Sequence, residues 1–345
     1  MSKNSIPKIF FFNIGILALM LGLFEIGARI FSNAIFFGNS KHLFDHRNKN
    51  YVTNCKSCEA TSFGAKIYTN SDGFRVSHLG AKASNNKEKK IVIIGDSLGF
   101  GPGVEFNTTF QGLLSNSYSD YQFVNRSVIG HALDQHLETA NLITKNPERI
   151  EKVYLIYCLN DLSNISSSQI KKSSTQKVNN LDIQWGTLLK NQRLLFKINH
   201  LLRTRSILYI DLKGKLSSPQ ERYFFADLKS YSEKRNESNI NKLNEIHEVL
   251  KSNGIKLTVI ISPYEYQVRE GSRNNSLLIP QKILSNYMEE RKINYINAYK
   301  NFIGYGGNSK DLFLPYDPMH YSEKGHKIIF DVIDQDLKNS VRHQK

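Results

Sequence analysis

Five short runs of apolar residues recur along the chain, and stretches with helical spacing separate them. The runs are Ile91–Ile94, Tyr121–Val124, Val153–Cys158, Ile255–Ser262 and Ile293–Ile296. Runs this short and this apolar are typical of strands that are buried on both faces of a parallel sheet. Their alternation with helices predicts a three-layer α/β/α sandwich around a five-stranded parallel sheet. Because ligands bind at the carboxyl ends of such strands, a functional site is expected there.

The first predicted strand is followed by a Gly-Asp-Ser-Leu-Gly string, residues 95–99. A serine at a tight strand-to-helix turn is exposed at the rim of the sheet, where the next helix offers unpaired N–H groups. Ser97 is therefore a candidate nucleophile. The alternative is that Ser97 only caps the helix that follows, and the string alone does not decide between the two.

The second and third predicted strands also end in residues that suit a reaction site. Gly130 follows the second strand and offers a backbone N–H that no side chain obstructs. Asn160 follows the third strand, and its amide can donate a hydrogen bond to an oxyanion. Each has a structural alternative, a turn glycine for Gly130 and a cap of the following turn for Asn160.

An acid and a histidine stand three residues apart in Asp317-Pro318-Met319-His320. A general base needs an acid that orients its ring and stabilises the imidazolium, and this spacing allows one segment to supply both. A helix is expected to begin just after this pair, at Ser322. Of the other histidines, His42, His200 and His247 are predicted to lie on the surface or in packing, and His326 is predicted to be structural.

Together and in this order, the four segments resemble the GDSL, or SGNH, hydrolase family over residues 90–338. The resemblance implies a flavodoxin-like fold in which Ser97 attacks an acyl carbonyl, His320 transfers the proton and Asp317 holds His320. It also implies an oxyanion hole made by the backbone N–H groups of Ser97 and Gly130 and the side chain of Asn160. No cluster of metal-ligating residues appears in the sequence, so no metal and no cofactor are predicted.

One residue departs from the pattern of that family. Cys158 stands where the third block usually begins with glycine. It could crowd the pocket or shift Asn160. It is not expected to act as a nucleophile, because no second histidine is placed to activate it.

The N-terminus is almost wholly apolar over residues 9–24, and Lys3 and Lys8 precede this run. Extended to Phe31, the segment is long enough to span a bilayer. The positive-inside rule then places the N-terminus in the cytoplasm and the body of the chain outside it, on the periplasmic side of an inner membrane. We predict a retained single-pass anchor, residues 1–37. The alternatives are a signal peptide cleaved near Ser32-Asn33-Ala34 and a buried core helix.

Glu25 and Arg29 stand at i,i+4 spacing near the outer end of this predicted helix, where they can form an ion pair. Residues 38–89 are predicted to be an extended approach segment, and residues 90–340 the hydrolase domain with an insertion at about 163–230. Leucines and an isoleucine between 188 and 202 repeat at helical spacing, and we interpret this stripe as core-facing rather than membrane-binding.

Composition excludes several classes of protein. The chain has 46 Lys and Arg residues against 31 Asp and Glu, a formal net charge of +15. The basic residues are scattered and no nucleic-acid-binding motif accompanies them, so no nucleic-acid partner is predicted. Three cysteines cannot form a disulfide scaffold, and one C-x-x-C pair cannot close a zinc site. In an oxidising compartment, Cys55 and Cys58 are expected to form a local disulfide.

The segment Tyr68–Arg75 resembles the residues that precede the first block in anchored bacterial members of the family, which often act on acyl groups of envelope or exported polysaccharides. The resemblance therefore implies an esterase that removes a small acyl group, acetyl above all, from an extracytoplasmic glycan or lipid. An O-acyltransferase with the same residues is the first alternative. A glycan-binding or assembly protein without activity is the second, and the intact reactive residues argue against it.

Overall fold

The structure is a computed structural model that describes residues 5–36, 43–45, 53–81, 89–145, 150–162, 193–232 and 237–342. The chain divides into two compact units. The N-terminal unit comprises Met1–Gly38 and Gln176–Ser218, and the sheet unit comprises Asn39–Thr175 and Pro219–Lys345.

The strands are numbered in chain order. They are β1 Phe44–Asp45, β2 Thr53–Asn54, β3 Glu59–Ser62, β4 Ala65–Thr69, β5 Arg75–Val76, β6 Lys89–Gly95, β7 Tyr121–Asn125, β8 Ile150–Tyr157, β9 Lys256–Ile261 and β10 Asn294–Asn297.

The α-helices are numbered in the same way. They are α1 Ser5–Phe31, α2 Ser97–Phe100, α3 Phe110–Ser117, α4 Leu133–Thr144, α5 Arg193–Arg205, α6 Ile207–Ser217, α7 Pro219–Leu228, α8 Glu237–Ile240, α9 Lys242–Ser252, α10 Glu265–Glu270, α11 Ile279–Glu290, α12 Tyr299–Ile303 and α13 Glu323–Arg342. Short 3-10 turns lie at Phe106–Thr108, Leu159–Leu162, Lys229–Tyr231, Asn275–Leu278 and Ser309–Leu312.

The central sheet confirms the predicted fold class. Its strand order is β10-β9-β8-β6-β7, and every neighbouring pair is parallel. This is the flavodoxin-like order, in which the chain changes direction between β6 and β8. All five predicted runs are strands, although β8 begins at Ile150, earlier than its apolar run. The carboxyl ends of β6, β7 and β8 meet beside this change of direction, which is where a site is expected.

Burial explains why the apolar runs become central strands. Ile91 to Ile94 of β6 and Val153 to Tyr157 of β8 have almost no exposed surface. Helices flank the sheet, with α3 packed against α13 and α4 packed against α9. Strands covered on both faces need apolar side chains at every position, so their sequence does not alternate.

The approach segment is more regular than the sequence suggested. Within the described residues it forms an antiparallel sheet of β3, β4 and β5, and a two-stranded ladder of β1 and β2. Alternate positions of β3 and β4 are buried, and these include Ala60, Ile67 and Thr69. Small and polar residues fill several of these buried positions, so the period of two is hard to recognise in the sequence. Cys55 and Cys58 form a disulfide beside this sheet, the pairing expected of them in an oxidising compartment.

In the N-terminal unit, α1 is exposed along its apolar length and α6 packs against it. The segment Phe10–Phe31 is long and apolar enough to cross a membrane. Ile198 and Leu201 of α5 are exposed, so the core-facing interpretation of the amphipathic stripe is wrong for these two residues. Leu188, Leu189 and the part of the predicted insertion between residues 163 and 192 lie outside the described residues.

Polar contacts join the end of α1 to the start of α6. The predicted ion pair is present, with Arg29 Nε 2.8 Å from Glu25 Oε1. The Glu25 carboxylate also accepts hydrogen bonds from Ser206 Oγ at 2.7 Å and from the backbone N–H groups of Ile207 and Leu208 at 3.0 and 3.1 Å. Glu25 therefore satisfies free donors at the N-terminus of α6.

Candidate active site

Ser97 is the first residue of α2, directly after the turn that ends β6. Asp96 caps this helix, and its Oδ1 accepts a hydrogen bond from the backbone N–H of Leu98 at 2.8 Å. A Cβ on Gly95 would lie 3.0 Å from the carbonyl oxygen of Ile156, so only glycine fits there without displacing β8. The cap is thus Asp96. The hydroxyl of Ser97, whose side chain is 6% exposed, lies 3.3 Å from Asp96 Oδ2 and can also reach a second partner.

The end of β7 holds this turn in place from the other side. Asn125 Nδ2 donates to the carbonyl oxygen of Gly99 at 2.7 Å, and the N–H of Val128 donates to the carbonyl oxygen of Gly95 at 3.1 Å. A Cβ on Gly99 would collide with the hydroxyl of Ser127. The tight turn at Ser97 therefore depends on two glycines and on a neighbouring strand end.

The loop before α13 presents the acid and the histidine together. Asp317 Oδ1 accepts hydrogen bonds from the backbone N–H groups of Met319 at 3.0 Å and His320 at 2.7 Å. Asp317 Oδ2 lies 2.8 Å from His320 Nδ1. The N–H of Leu314 donates to the carbonyl oxygen of His320 at 2.8 Å and closes the loop. The three-residue spacing thus permits one carboxylate to fix both the backbone and the ring of His320.

His320 bridges Asp317 and Ser97. Its Nε2 lies 2.8 Å from Ser97 Oγ, on the side of the ring opposite the carboxylate. Since Nδ1 faces a carboxylate, the proton of a neutral ring lies on Nδ1, and Nε2 is the acceptor for the serine hydroxyl. The structure brings together Ser97, His320 and Asp317, the three residues to which the family resemblance gives the reaction, although 223 positions separate Ser97 from His320.

The environment adjusts the pKa values of the acid and the base in opposite directions. Burial alone would lower the pKa of His320, but the charge and hydrogen bond of Asp317, assisted by Asp96, raise it above its ordinary value. Burial alone would raise the pKa of Asp317, but His320 and the two backbone N–H groups lower it. The pair is therefore arranged to favour an imidazolium beside a carboxylate.

A group of buried ionisable side chains lies beside the turn that carries Ser97. Burial and the charge of Asp161 raise the pKa of Asp96 to about 7. Asp161 Oδ2 lies 3.3 Å from His136 Nε2, and both side chains are fully buried. Burial lowers the pKa of His136 to about 4 and raises that of Asp161 well above its usual range. Asp161 directly follows Asn160 in the sequence, which indicated no role for Asp161 or for His136.

The two other predicted oxyanion groups lie at the neighbouring strand ends. Gly130 occupies an exposed turn after β7 with φ +82°, a conformation that favours glycine. Asn160 lies in the 3-10 turn after β8, and its Nδ2 is 4.0 Å from Sδ of Met319, the residue before His320. Their roles in an oxyanion hole, like that of the Ser97 N–H, stay predictions.

Cys158 is buried at the end of β8. Its Sγ lies 3.7 Å from the hydroxyl of Tyr264 and 3.7 Å from Sδ of Met319. Burial and the charges of Asp96 and Asp161 raise the pKa of the thiol well above its usual range. A thiol in this state is a poor nucleophile, because the thiolate is the reactive form.

Phe63 contacts the site from the antiparallel sheet, and the sequence did not indicate it. Its ring centroid lies 5.6 Å from that of His320. Phe63 and Gly64 connect β3 to β4 with φ values of +47° and +83°, the conformation of a two-residue type I′ hairpin turn. Such a turn favours Asn at its first position, and a phenylalanine there is strained. The one feature of the sequence that could have indicated Phe63 is a Phe-Gly pair between two short segments in which buried and exposed side chains alternate.

Comparison with known proteins gives structural but no sequence relatives. No protein-family model matches the chain, and no curated protein matches it. It is similar to the solved structure of a G-D-S-L family lipolytic protein from Veillonella parvula, with 12% identity, a TM-score of 0.40, and 70% of this chain and 94% of that one covered. The chain resembles GDSL hydrolases in structure.

Two further solved structures show the same level of similarity. TesA has 12% identity and a TM-score of 0.42, with 73% of this chain and 99% of that one covered. The esterase EstA from Pseudoalteromonas sp. has 13% identity and a TM-score of 0.41, with 74% and 99% covered. Identity this low assigns no activity, so the function of this chain has to be argued from its own side chains.

Proposed function

We propose that this protein is a serine ester hydrolase of the GDSL type, with Ser97 as nucleophile, His320 as general base and Asp317 as the residue that orients it. The observation that carries the proposal is the continuous chain of contacts from Asp317 Oδ2 to His320 Nδ1 and from His320 Nε2 to Ser97 Oγ, each 2.8 Å long. Both distances are within hydrogen-bonding range, so a proton can pass from the hydroxyl to the ring.

In the first half of the reaction, Ser97 Oγ attacks the acyl carbonyl while His320 Nε2 takes the hydroxyl proton. The imidazolium that forms lies 2.8 Å from Asp317, which stabilises its charge. The backbone N–H groups of Ser97 and Gly130 and the amide of Asn160 are assigned to the tetrahedral oxyanion. When this intermediate collapses, the C–O bond to the leaving alcohol breaks and the alcohol takes the proton from His320.

In the second half, His320 removes a proton from water, and the resulting hydroxide attacks the acyl group on Ser97. The tetrahedral intermediate then expels Ser97 Oγ, which regains its proton from His320, and the free carboxylic acid is released. No metal or redox cofactor is needed to balance these steps.

We assign a small acyl group, acetyl above all, on an extracytoplasmic glycan or lipid. The support for a small acyl group is steric. Ser97 has little exposed surface, the ring of Phe63 lies against His320, and Met319 lies beside Asn160.

We also assign a retained membrane anchor to α1. Glu25 and Arg29 make polar contacts with residues 205 to 208, and Ser32 Oγ donates to Asp211 Oδ1 at 2.8 Å. All three of these N-terminal residues precede Ala34 in the chain. Cleavage after Ala34 would remove all of these partners from the N-terminal unit. The disulfide between Cys55 and Cys58 supports an oxidising, extracytoplasmic location for the sheet unit.

The enzymatic proposal is tested with the full chain in detergent and 4-nitrophenyl acetate as substrate. Wild-type protein should release 4-nitrophenol, and Ser97→Ala should lose roughly 10³-fold or more of kcat/KM. The exposed Ser272→Ala is the matched control and should retain full activity. A fluorophosphonate should label Ser97 in the wild type. Serine-independent release and labelling elsewhere would contradict the proposal.

The same assay distinguishes hydrolysis from acyl transfer, which differ only in what attacks the acyl-enzyme. Hydrolysis yields free acid at the rate of alcohol release, whether or not sugar is present. If added oligosaccharide accelerated 4-nitrophenol release and carried the acyl group afterwards, the physiological reaction would be transfer to a sugar hydroxyl.

A further inference from the structure

Helices α5 and α6 carry large apolar side chains that nothing in the described part of the N-terminal unit covers. Ile198 and Leu201 of α5 are 42% and 48% exposed, and Leu212 and Leu216 of α6 are 50% and 84% exposed. Each pair is spaced three or four residues apart and therefore lies on one face of its helix. The opposite face of α6 is buried through Ile207 and Ile210. We call the four exposed residues the apolar face of the helix pair.

The same two helices are strongly basic. Residues 193–217 contain six Lys and Arg residues and one acid, Asp211. That acid is buried and engaged with Ser32 Oγ at 2.8 Å and with Lys215 Nζ at 2.6 Å. Lys197 and Arg205 are exposed. Exposed apolar residues together with exposed basic residues on the same helices are the composition of helices that lie in the surface of an anionic bilayer.

The position of α6 is set by the apolar helix α1. The carboxylate of Glu25 accepts three hydrogen bonds from residues 206 to 208, and Arg29 Nη2 donates to the carbonyl oxygen of Arg205 at 3.0 Å. Glu25 lies within the apolar segment Phe10–Phe31, six residues before its end. A carboxylate at that depth needs polar partners, and the start of α6 supplies them. Helix α6 therefore begins at the level where α1 approaches the membrane surface.

We propose that α5 and α6 form an interfacial platform that lies in the outer surface of the bilayer that α1 spans. The apolar face enters the boundary between headgroups and acyl chains, and the basic residues contact anionic headgroups. The proposal rests on the retained anchor proposed above and adds a second, independent contact with the same membrane. The partner is an anionic lipid surface rather than a protein.

The test uses the full chain reconstituted in vesicles of phosphatidylcholine with about 30 mol% phosphatidylglycerol. A single cysteine is introduced by Leu216→Cys and labelled with an NBD fluorophore. The native cysteines do not compete, because Cys55 and Cys58 form a disulfide and Cys158 is buried. A lipid with a nitroxide near the headgroup is then added as quencher. Fluorescence at position 216 should fall by roughly half, as for a group at the headgroup boundary.

Two control positions separate the platform from the anchor. Leu17→Cys in α1 should be quenched by a nitroxide deep in the acyl chain, and Leu142→Cys, an exposed leucine of the sheet unit, is measured as a reference outside the N-terminal unit. Quenching at 17 without quenching at 216 would overturn the platform and leave the anchor standing. Absence of quenching at both would overturn the two proposals together.

The lipid charge is tested on the same protein. Quenching at 216 should weaken when phosphatidylglycerol is omitted, and Lys197→Gln combined with Arg205→Gln should remove that dependence. Equal quenching with and without the anionic lipid would overturn the anionic surface as partner. Disulfide cross-linking of unlabelled Leu216→Cys between copies, without quenching of the labelled protein, would identify a second copy of the chain as the occupant instead.

Discussion

Arg75 of β5 donates a hydrogen bond from Nη1 to the carbonyl oxygen of Phe100, the last residue of the helix that begins with Ser97, at 2.7 Å. The same guanidinium also donates to the carbonyl oxygens of Gly101 and Val104. Arg75 is almost completely buried, and burial lowers its pKa to about 9, with Glu105 opposing the change. The antiparallel sheet thus fixes the C-terminal end of α2, the helix that begins with Ser97.

Arg75→Met should destabilise the sheet unit by about 3 kcal/mol or more, because it leaves buried carbonyl oxygens without their donors. It should also lower kcat, since α2 would no longer hold Ser97 at hydrogen-bonding distance from His320. Arg75→Lys should recover part of both losses. Thermal unfolding measures the loss of stability, and 4-nitrophenyl acetate turnover measures the loss of kcat. Arg273→Met, at a highly exposed arginine, is the control. Full stability of Arg75→Met would contradict the assigned role.

Phe63→Asn should separate stability from activity. Asn is favoured at the first position of a type I′ turn, so the substitution relieves strain of about 1 kcal/mol, and the melting temperature should stay constant or rise. It also removes the ring that lies against His320, so kcat/KM should fall. Phe63→Tyr keeps the ring and should keep the activity. A rise in both stability and activity on Phe63→Asn would show that the ring has no role in the site.

The pH dependence of kcat/KM should follow His320. The base acts only when neutral, so the rate should fall as the pH drops through a pKa raised above the ordinary value of about 6.5. Asp317→Asn removes the charge that raises this pKa. Its acidic limb should therefore move to lower pH, and its kcat should fall roughly 10⁴-fold. If the acidic limb of the pH profile stayed in place in Asp317→Asn, the limb would report the titration of another group. Asp96 is the first candidate, because its pKa is about 7.

Acid should destabilise the sheet unit through His326. Burial, assisted by the charge of Arg75, lowers the pKa of His326 to about 3, whereas an unfolded chain has an ordinary histidine value of about 6.5. Between these values only the unfolded state binds the proton, so the free energy of unfolding falls as the pH falls, by about 1.4 kcal/mol per pH unit at most. His326→Gln should reduce this slope, and His78→Gln, at an exposed histidine, should not. Urea unfolding at several pH values measures the difference.

The sequence alone was sufficient to predict the sheet and to single out four segments, three of which follow strands of that sheet. The five apolar runs identify strands because a strand covered on both faces must be apolar at every position, which few other structures require. The topology of a parallel sheet then assembles Ser97, Gly130 and Asn160 at one edge. Asp317 and His320 could be paired because three residues of local spacing, and no distant contact, hold one to the other.

Only the tertiary structure decided the contacts between segments that are far apart in the chain. No periodic pattern in the sequence indicates such contacts. The ring of Phe63 on His320, the guanidinium of Arg75 on α2 and the buried pair of His136 and Asp161 belong to this class. So does the exposure of Ile198, for which helical spacing predicts an apolar face but not the surface it meets. Periodicity reports which side of an element is apolar, and only packing determines what lies against that side.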